Sequence, residues 1–365
     1  MKTIGIDFLP VENSPAGIGQ YTLSLFSCLF ELAPDEAFVI YSTKTLPKKF
    51  PPNVKNIVID WPKYLPFKGI RWFMKVASDV KIQKIDLFFS ISNFLFPLLI
   101  PNTIQFIHDI APIKFPKFFS PMTRLSFPIM AGMAMNKAIK IITISNQVKK
   151  ELLEYRPNIP GEKIAVIYPG INQNILINPK KFTGFDLNCD YILSIATFEP
   201  RKNYPASFKL FANLIKAPEY AHYKYLIVGK KGWYYDKIFE NVKALGLTEK
   251  VVFLGYVEDQ YIADIIKRCK CMLFLSYYEG FGMPPIEALY FNKPVVVNDI
   301  PVFREIYGNL AKYIDCTKLD ENIEMYTAKI IDTININNVD YRIQIMQKFN
   351  NETSARKFLN LIQQL

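Results

Sequence analysis

Short apolar runs alternate with longer stretches of helical spacing along the whole chain. In the first half, Ile4–Leu9, Ala37–Tyr41, Asn56–Asp60, Leu87–Ile91, Thr103–Ile107, Lys140–Ile144 and Ala165–Tyr168 read as strands. Helical spacing follows several of them. Leu23, Leu25, Phe26, Leu29, Phe30 and Leu32 mark one helix, and Phe67, Ile70, Phe73, Met74, Ala77 and Val80 mark another over 66–84. Residues 121–139 form an apolar, methionine-rich helix, and Ser145 is a candidate N-cap for the next. Pro47–Pro52 and Phe115–Phe119 read as proline-rich loops. Asn93–Pro101 reads as an apolar loop suited to a core or an apolar partner. Strands regularly separated by helices predict an α/β fold, a parallel sheet covered on both faces.

The pattern lapses over 173–190, which carries Asn, Pro, Lys and Gly without periodicity and reads as a linker. It then restarts. Tyr191–Ile195, Lys224–Val228, Val251–Leu254, Cys271–Leu275 and Pro294–Val297 read as strands, with helices expected over 205–216, 235–245, 260–269 and from Pro284 or Pro285. Two doubly wound domains follow, 1–172 and 191–344. A last amphipathic helix spans 341–365, with Ile345, Phe349, Phe358, Leu359 and Leu361 as apolar anchors.

Composition narrows the class. Of 365 residues, half are hydrophobic and 15% aromatic, which is ample core material for two domains. Five cysteines without a Cys-x-x-Cys pair fit free thiols in a reducing compartment. With only His108 and His222 present, a histidine-based zinc site is not expected, and no metal is assigned. The net charge is +11, and residues 1–172 hold 20 Lys/Arg against 12 Asp/Glu. The basic helix over 66–84 can therefore meet an anionic membrane or simply carry a solvated face. The basic surplus is spread out and no nucleic-acid module is present, so nucleic acid is not an expected partner. No run reaches the roughly 18 apolar residues of a membrane span, and the opening run reads as a strand rather than a leader. The expected location is cytoplasmic, including the inner face of the cell membrane.

The candidate chemistry lies at strand ends, where open α/β sheets bind ligands. After Cys271–Leu275 comes Ser276-Tyr-Tyr-Glu-Gly-Phe-Gly-Met-Pro-Pro-Ile-Glu287, a glycine turn that opens a helix. Glu279 and Glu287 offer carboxylates to hydroxyls, and the helix start offers amides. Arg201 and Lys202 follow the strand 191–195, and paired cations suit a diphosphate. Hydroxyls plus a diphosphate describe a nucleotide sugar. In the first half, Gly17-Ile-Gly19 opens a helix after a strand, and His108 ends another strand.

These motifs together resemble those of the retaining family 4 glycosyltransferases of the GT-B fold. The strongest match is Glu279-Gly-Phe-Gly-Met-Pro-Pro-Ile-Glu287, similar to the E-x7-E motif of that family. Gly17-Ile-Gly19-Gln-Tyr21, His108-Asp109, Ser145, Tyr168-Pro-Gly170, Glu199-Pro-Arg-Lys-Asn203, Gly229-Lys-Lys-Gly-Trp233 and Phe253-Leu-Gly-Tyr-Val257 support it in order. The resemblance implies two Rossmann-like domains facing a cleft, the first for the acceptor and the second for the donor. It also implies that 345–365 crosses back onto the first domain.

By motif position, Glu287 would accept from the ribose hydroxyls. Glu279 would sit by the donor sugar, near the amides of Phe281, Gly282 and Met283. Arg201 and Lys202 would hold the diphosphate with the Gly17–Gly19 amides, and His108 would lie near the anomeric carbon. Gly229, Tyr256 and Val257 complete the implied donor set, and Glu279, His108, Arg201 and Lys202 the catalytic one. The Glu-Pro-Arg-Lys-Asn and Gly-Lys-Lys-Gly-Trp variants are similar to mannosyl- and rhamnosyltransferases of O-antigen assembly. The expected reaction moves a hexosyl residue from a nucleotide sugar, GDP favoured over UDP, to a saccharide or lipid-linked saccharide, with no cofactor. The alternative is a non-catalytic protein on this fold that binds nucleotide or anionic lipid. Two departures from the family pattern stand out: Ala196 replaces a frequent glycine, and Arg201 and Lys202 are adjacent rather than several residues apart.

Overall fold

The computed structural model describes residues 2–13, 17–46, 49–60, 68–171, 179–232, 235–336 and 340–365. Trp233, Phe67 and the start of the expected linker lie outside the described residues. The chain divides into two compact units, one of 1–172 with 349–365 and one of 173–348.

The first unit holds β1 (Thr3–Asp7), α1 (Leu9–Asn13), α2 (Ile18–Leu32), β2 (Ala37–Ser42), β3 (Val54–Val58), α3 (Lys68–Ile82) and β4 (Leu87–Ser90). It continues with α4 (Phe96–Leu99), β5 (Thr103–Ile107), α5 (Ala111–Lys114), α6 (Pro121–Lys137), β6 (Lys140–Thr143), α7 (Asn146–Tyr155) and β7 (Ile164–Val166). Its seven strands run parallel in the order β3-β2-β1-β4-β5-β6-β7, so the order reverses between β1 and β4. Adjacent residues of β4 serve opposite faces, as the period-two pleat requires. Phe88 packs with Trp72 and Phe96 under α3 and α4, while Phe89 meets Phe26 of α2 on the other face.

The second unit holds β8 (Tyr191–Ile195), α8 (Tyr204–Leu214), β9 (Lys224–Val228), α9 (Tyr235–Ala244), β10 (Val251–Gly255) and α10 (Asp259–Arg268). After these come β11 (Cys271–Phe274), α11 (Met283–Tyr290), β12 (Val295–Asn298), α12 (Pro301–Tyr307), β13 (Ala311–Ile314), α13 (Ile323–Ile334) and α14 (Arg342–Lys348). Its strands are parallel in the order β10-β9-β8-β11-β12-β13, which reverses between β8 and β11. Phe208, Phe211, Tyr225, Leu273 and Ile330 belong to its main core.

Several expectations change. The strand expected at 56–60 lies two residues earlier, at Val54–Val58, paired with β2. The apolar loop 93–101 contains α4, whose Phe96 is fully buried, so it is core. Trp72 of α3 is fully buried, and its Nε1 donates to the Ile59 carbonyl at 3.0 Å. The final helix is two. α14 ends at Lys348, and α15 (Asn351–Gln364) begins after Asn350, whose side chain caps it by accepting from the Glu352 amide. α14 belongs to the second unit and α15 to the first, where Phe358 lies 5.5 Å from Phe26 and 4.8 Å from Phe89.

Candidate active site

In the second unit the two strands that flank the order reversal carry the two charged loops. β8 leads to Glu199–Asn203, and β11 leads to Ser276–Gly282. Glu279 is buried there between two cations. Arg201 Nη1 donates to Glu279 Oε2 at 2.9 Å, and Lys202 Nζ donates to Oε1. Burial alone would raise the Glu279 carboxyl, but the charges of Lys202 and Arg201 hold it at about 2. Burial, and then the Arg201 charge, pulls the Lys202 ammonium below its ordinary value.

The loop is fixed from several sides. Arg201 Nε donates to Glu199 Oε2 at 3.0 Å, and its Nη1 also donates to the Tyr278 carbonyl at 3.1 Å. The Tyr277 amide donates to the Arg201 carbonyl at 2.8 Å. Asn298, at the end of β12, donates to the Ser276 carbonyl at 3.0 Å. Asn203 takes a left-handed conformation, φ 54°, and starts α8.

Gly282 begins α11 at φ 99°, and Pro284 and Pro285 occupy its first turn, where no helical partner awaits their missing N–H. A Cβ on Gly282 would lie 2.3 Å from the Tyr307 hydroxyl, which donates to the Gly282 carbonyl at 2.6 Å. Glycine is therefore required here by both backbone and space. Phe281 is buried, and Met283 is partly buried at the helix start.

Glu287, on α11, is partly buried. Among the described residues no hydrogen bond or ion pair reaches its carboxylate. Burial first, and the Asp259 carboxylate second, push it up to about 7. Glu279 and Glu287 thus carry opposite shifts although they share one motif.

Gly229 follows β9, against the loop after β8. A Cβ there would lie 1.9 Å from the Ala196 carbonyl oxygen, so close backbone packing accounts for this glycine. Tyr256 is half-exposed beneath Lys230, whose Nζ lies 5.0 Å from its ring centroid, and Val257 is buried.

In the first unit Gly17, at φ 61°, begins α2, and Gly19 is buried in its first turn. His108 is buried beyond the end of β5. Its Nε2–H donates to the Ile91 carbonyl at 3.0 Å, and the Tyr21 ring stands edge-on at 5.8 Å. Burial lowers the imidazole to about 4, so it is neutral at pH 7. The start of α2 and His108 are thus neighbours. Sequence reasoning missed Asp7. It ends β1, is fully buried, accepts from Asn93 and from the Leu9 amide, and burial raises it to about 7. A polar residue closing an apolar strand was its only signal. Tyr307, on α12, lies beyond the last expected strand and outside every motif. Among the described residues no group of three or more His, Cys, Asp or Glu is placed to hold a metal ion. Nor is any helix long and apolar enough to cross a membrane.

Two family models divide the chain much as the two units do. The model for Glycosyltransferase Family 4 matches residues 16–174, and that for Glycosyl transferases group 1 matches 178–345. The chain is thus built of two glycosyltransferase domains, on the GT-B fold. Among its relatives, the O-antigen chain mannosyltransferase RfbU of Salmonella typhimurium is 26% identical, with 96% of this chain and 95% of RfbU covered. The serotype-specific mannosyltransferase WbdA of Escherichia coli is 28% identical over 57% of this chain, a match that spans 27% of WbdA. The fold matches a sucrose-phosphate synthase from Thermosynechococcus elongatus (TM-score 0.76, 15% identity, 100% and 99% covered). It also matches Anabaena HepE in complex with UDP and glucose (TM-score 0.72, 16% identity, both chains fully covered).

Proposed function

We propose that this glycosyltransferase moves a mannosyl or closely related residue, with retention of anomeric configuration, from a GDP-sugar to a saccharide or lipid-linked saccharide acceptor. One observation carries the reading: the ionised Glu279 clamped by Arg201 and Lys202 at the order reversal, beside the first amides of α11. These are the groups a sugar diphosphate needs. When the glycosidic bond breaks, negative charge grows on the β-phosphate, and fixed cations and amides stabilise it without reorganising. Arg201 and Lys202 supply that charge, so the transfer needs no metal. Glu279 contacts the donor sugar and aims both cations. Glu287 accepts from the ribose hydroxyls.

The acceptor hydroxyl attacks from the face the diphosphate leaves, and its proton passes to the departing phosphate. No protein nucleophile is assigned. Within the first unit, neutral His108 and the α2 start form an uncharged setting suited to sugar hydroxyls. The mannosyl preference is supported by RfbU and WbdA, both named as mannosyltransferases. The enzyme works at the cytoplasmic face of the membrane, where a lipid-linked acceptor would be presented.

Calorimetric titration with GDP, UDP and ADP tests the donor. The expected result is GDP preferred, with a Kd near the micromolar range, about −8 kcal/mol. Transfer assays with GDP-mannose follow, with the anomer of the product read by NMR. Equal or absent binding of all three nucleotides would overturn the donor reading. Nucleotide binding without transfer to any saccharide would favour a non-catalytic binding protein.

A further inference from the structure

The helix α6 is apolar on both sides. Ala131, Ala134 and Met135 face the core. The opposite side carries Met122, Leu125, Ile129 and Met133, which are 80%, 71%, 53% and 44% exposed. Their spacing of three, four and four residues draws one stripe along the helix. Scattered exposed apolar residues are ordinary, but a continuous stripe marks a surface that something covers. A helix that needed only a core contact would carry polar residues on that side.

The surroundings of the stripe are mainly basic, although Lys114 is paired with Glu154 of α7 at 3.3 Å. Residues 111–140 contain five Lys or Arg and no Asp or Glu. Arg124 is held at the edge of the stripe, where its Nε donates to the Pro116 carbonyl at 2.6 Å and the Phe119 carbonyl at 3.1 Å. The helix itself is braced by Tyr155, whose hydroxyl donates to the Pro128 carbonyl at 3.0 Å. On the same unit, α4 touches both α6 and α3. α3 repeats the composition: Ile70 and Met74 are exposed beside Arg71 and Lys75. Its Asp79 turns inward to accept from the Tyr41 hydroxyl at 3.0 Å.

From this juxtaposition we infer that the outer face of α6, with α3 beside it, docks on an anionic lipid bilayer. The apolar stripe enters the headgroup boundary and the flanking cations meet acidic headgroups. A second copy of this chain fits less well. A two-fold dimer would set the patch against itself, and so set a basic surface against the same basic surface. A bilayer supplies hydrocarbon and negative charge together. The inference stands apart from the donor reading, since none of these residues is assigned to the sugar nucleotide.

The test is flotation of the purified full chain with vesicles of phosphatidylcholine, or of equimolar phosphatidylcholine and phosphatidylglycerol. The chain is expected to float with the anionic vesicles only, and less so as salt rises. The double substitution Leu125→Glu, Ile129→Glu should reduce recovery at least about tenfold, given the worth of burying two aliphatic side chains. Both positions are exposed, so the thermal midpoint and GDP affinity should stay as in the parent. Met122→Asp gives a second, independent change at the most exposed position. Arg71→Glu with Lys75→Glu should lower recovery less and weaken its salt dependence. Failure to float, equal flotation with neutral vesicles, or a double variant that floats like the parent would each overturn the inference. So would a dimer seen by light scattering that Leu125→Glu dissociates, because the face would then be an interface between copies.

Discussion

The corners where the two sheets reverse their strand order are built alike and charged differently. In the second unit the corner holds an ionised carboxylate locked between Arg201 and Lys202. In the first it holds a neutral His108 on the Ile91 carbonyl and a buried Asp7 whose carboxyl is raised to about 7. The same topology therefore yields one corner suited to a phosphate and one suited to uncharged hydroxyls. What differs is whether burial or a partner charge dominates. At Glu279 two cations overcome burial, whereas at Asp7 the hydrogen bonds from Asn93 and Leu9 do not.

The largest break in that contrast should come from Glu279→Ala. It leaves the partly buried Arg201 and Lys202 without their shared partner, at a cost on the order of 3 kcal/mol in a urea titration. Turnover should fall by about a hundredfold or more, with a smaller loss of nucleotide affinity. The pH dependence has a definite sign. The Glu279 pKa is depressed, so its contribution to stability is full above the unfolded value of 4.5 and is lost as pH falls toward 2.

Gly282→Ala comes next. The positive φ and the 2.3 Å approach to Tyr307 together should cost on the order of 2 kcal/mol, read as a lower thermal midpoint. Tyr307→Phe alone removes one hydrogen bond and should cost about 1 kcal/mol. If Gly282→Ala were neutral, the glycine would not be serving the loop as described.

Glu287→Gln sharpens the comparison within one motif. The carboxyl titrates near 7 in the free protein, so parental nucleotide affinity should rise from pH 6 to pH 8 as it ionises. The variant should bind about tenfold more weakly at pH 8, roughly 1.4 kcal/mol, and lose that slope. The smallest effect is expected from Asp7→Asn. The folded state binds the Asp7 proton more tightly than the unfolded state does, so parental stability falls as pH climbs from about 4 through 7. Asp7→Asn should flatten that part of the profile and be close to neutral at pH 6. A variant with an unchanged slope would show that another group titrates there.

Most strands and the charged loops were legible because each is encoded within a few residues. Apolar runs such as Lys224–Val228 give a buried parallel strand directly, and Glu279 to Glu287 keep fixed spacing across a turn. Three kinds of feature were not legible. β13 is a short strand, Ala311–Ile314, with Lys312 and Tyr313 inside it, and lacks an apolar run. The break at Phe349–Asn350 falls inside a continuous amphipathic pattern, where each half keeps an apolar face for a different unit. The need for glycine at 229 arises from the Ala196 carbonyl, which the chain brings near only through the β8–β9 pairing. Likewise, the shift at Asp7 depends on Asn93, which lies 86 residues away.

The return of α15 to the first unit also bears on the order of synthesis. Phe358 packs edge-on or tilted among Phe26, Phe89 and Phe106, so the first sheet has one face incomplete until residues beyond 349 have left the ribosome. The second unit, continuous from 173 to 348, has no such wait. A nascent chain would then finish its second half before its first, the reverse of the usual N-terminal-first order. In the interval the aromatic groove on α2 and β4 stands open, at the stage when a chaperone would have most to hold.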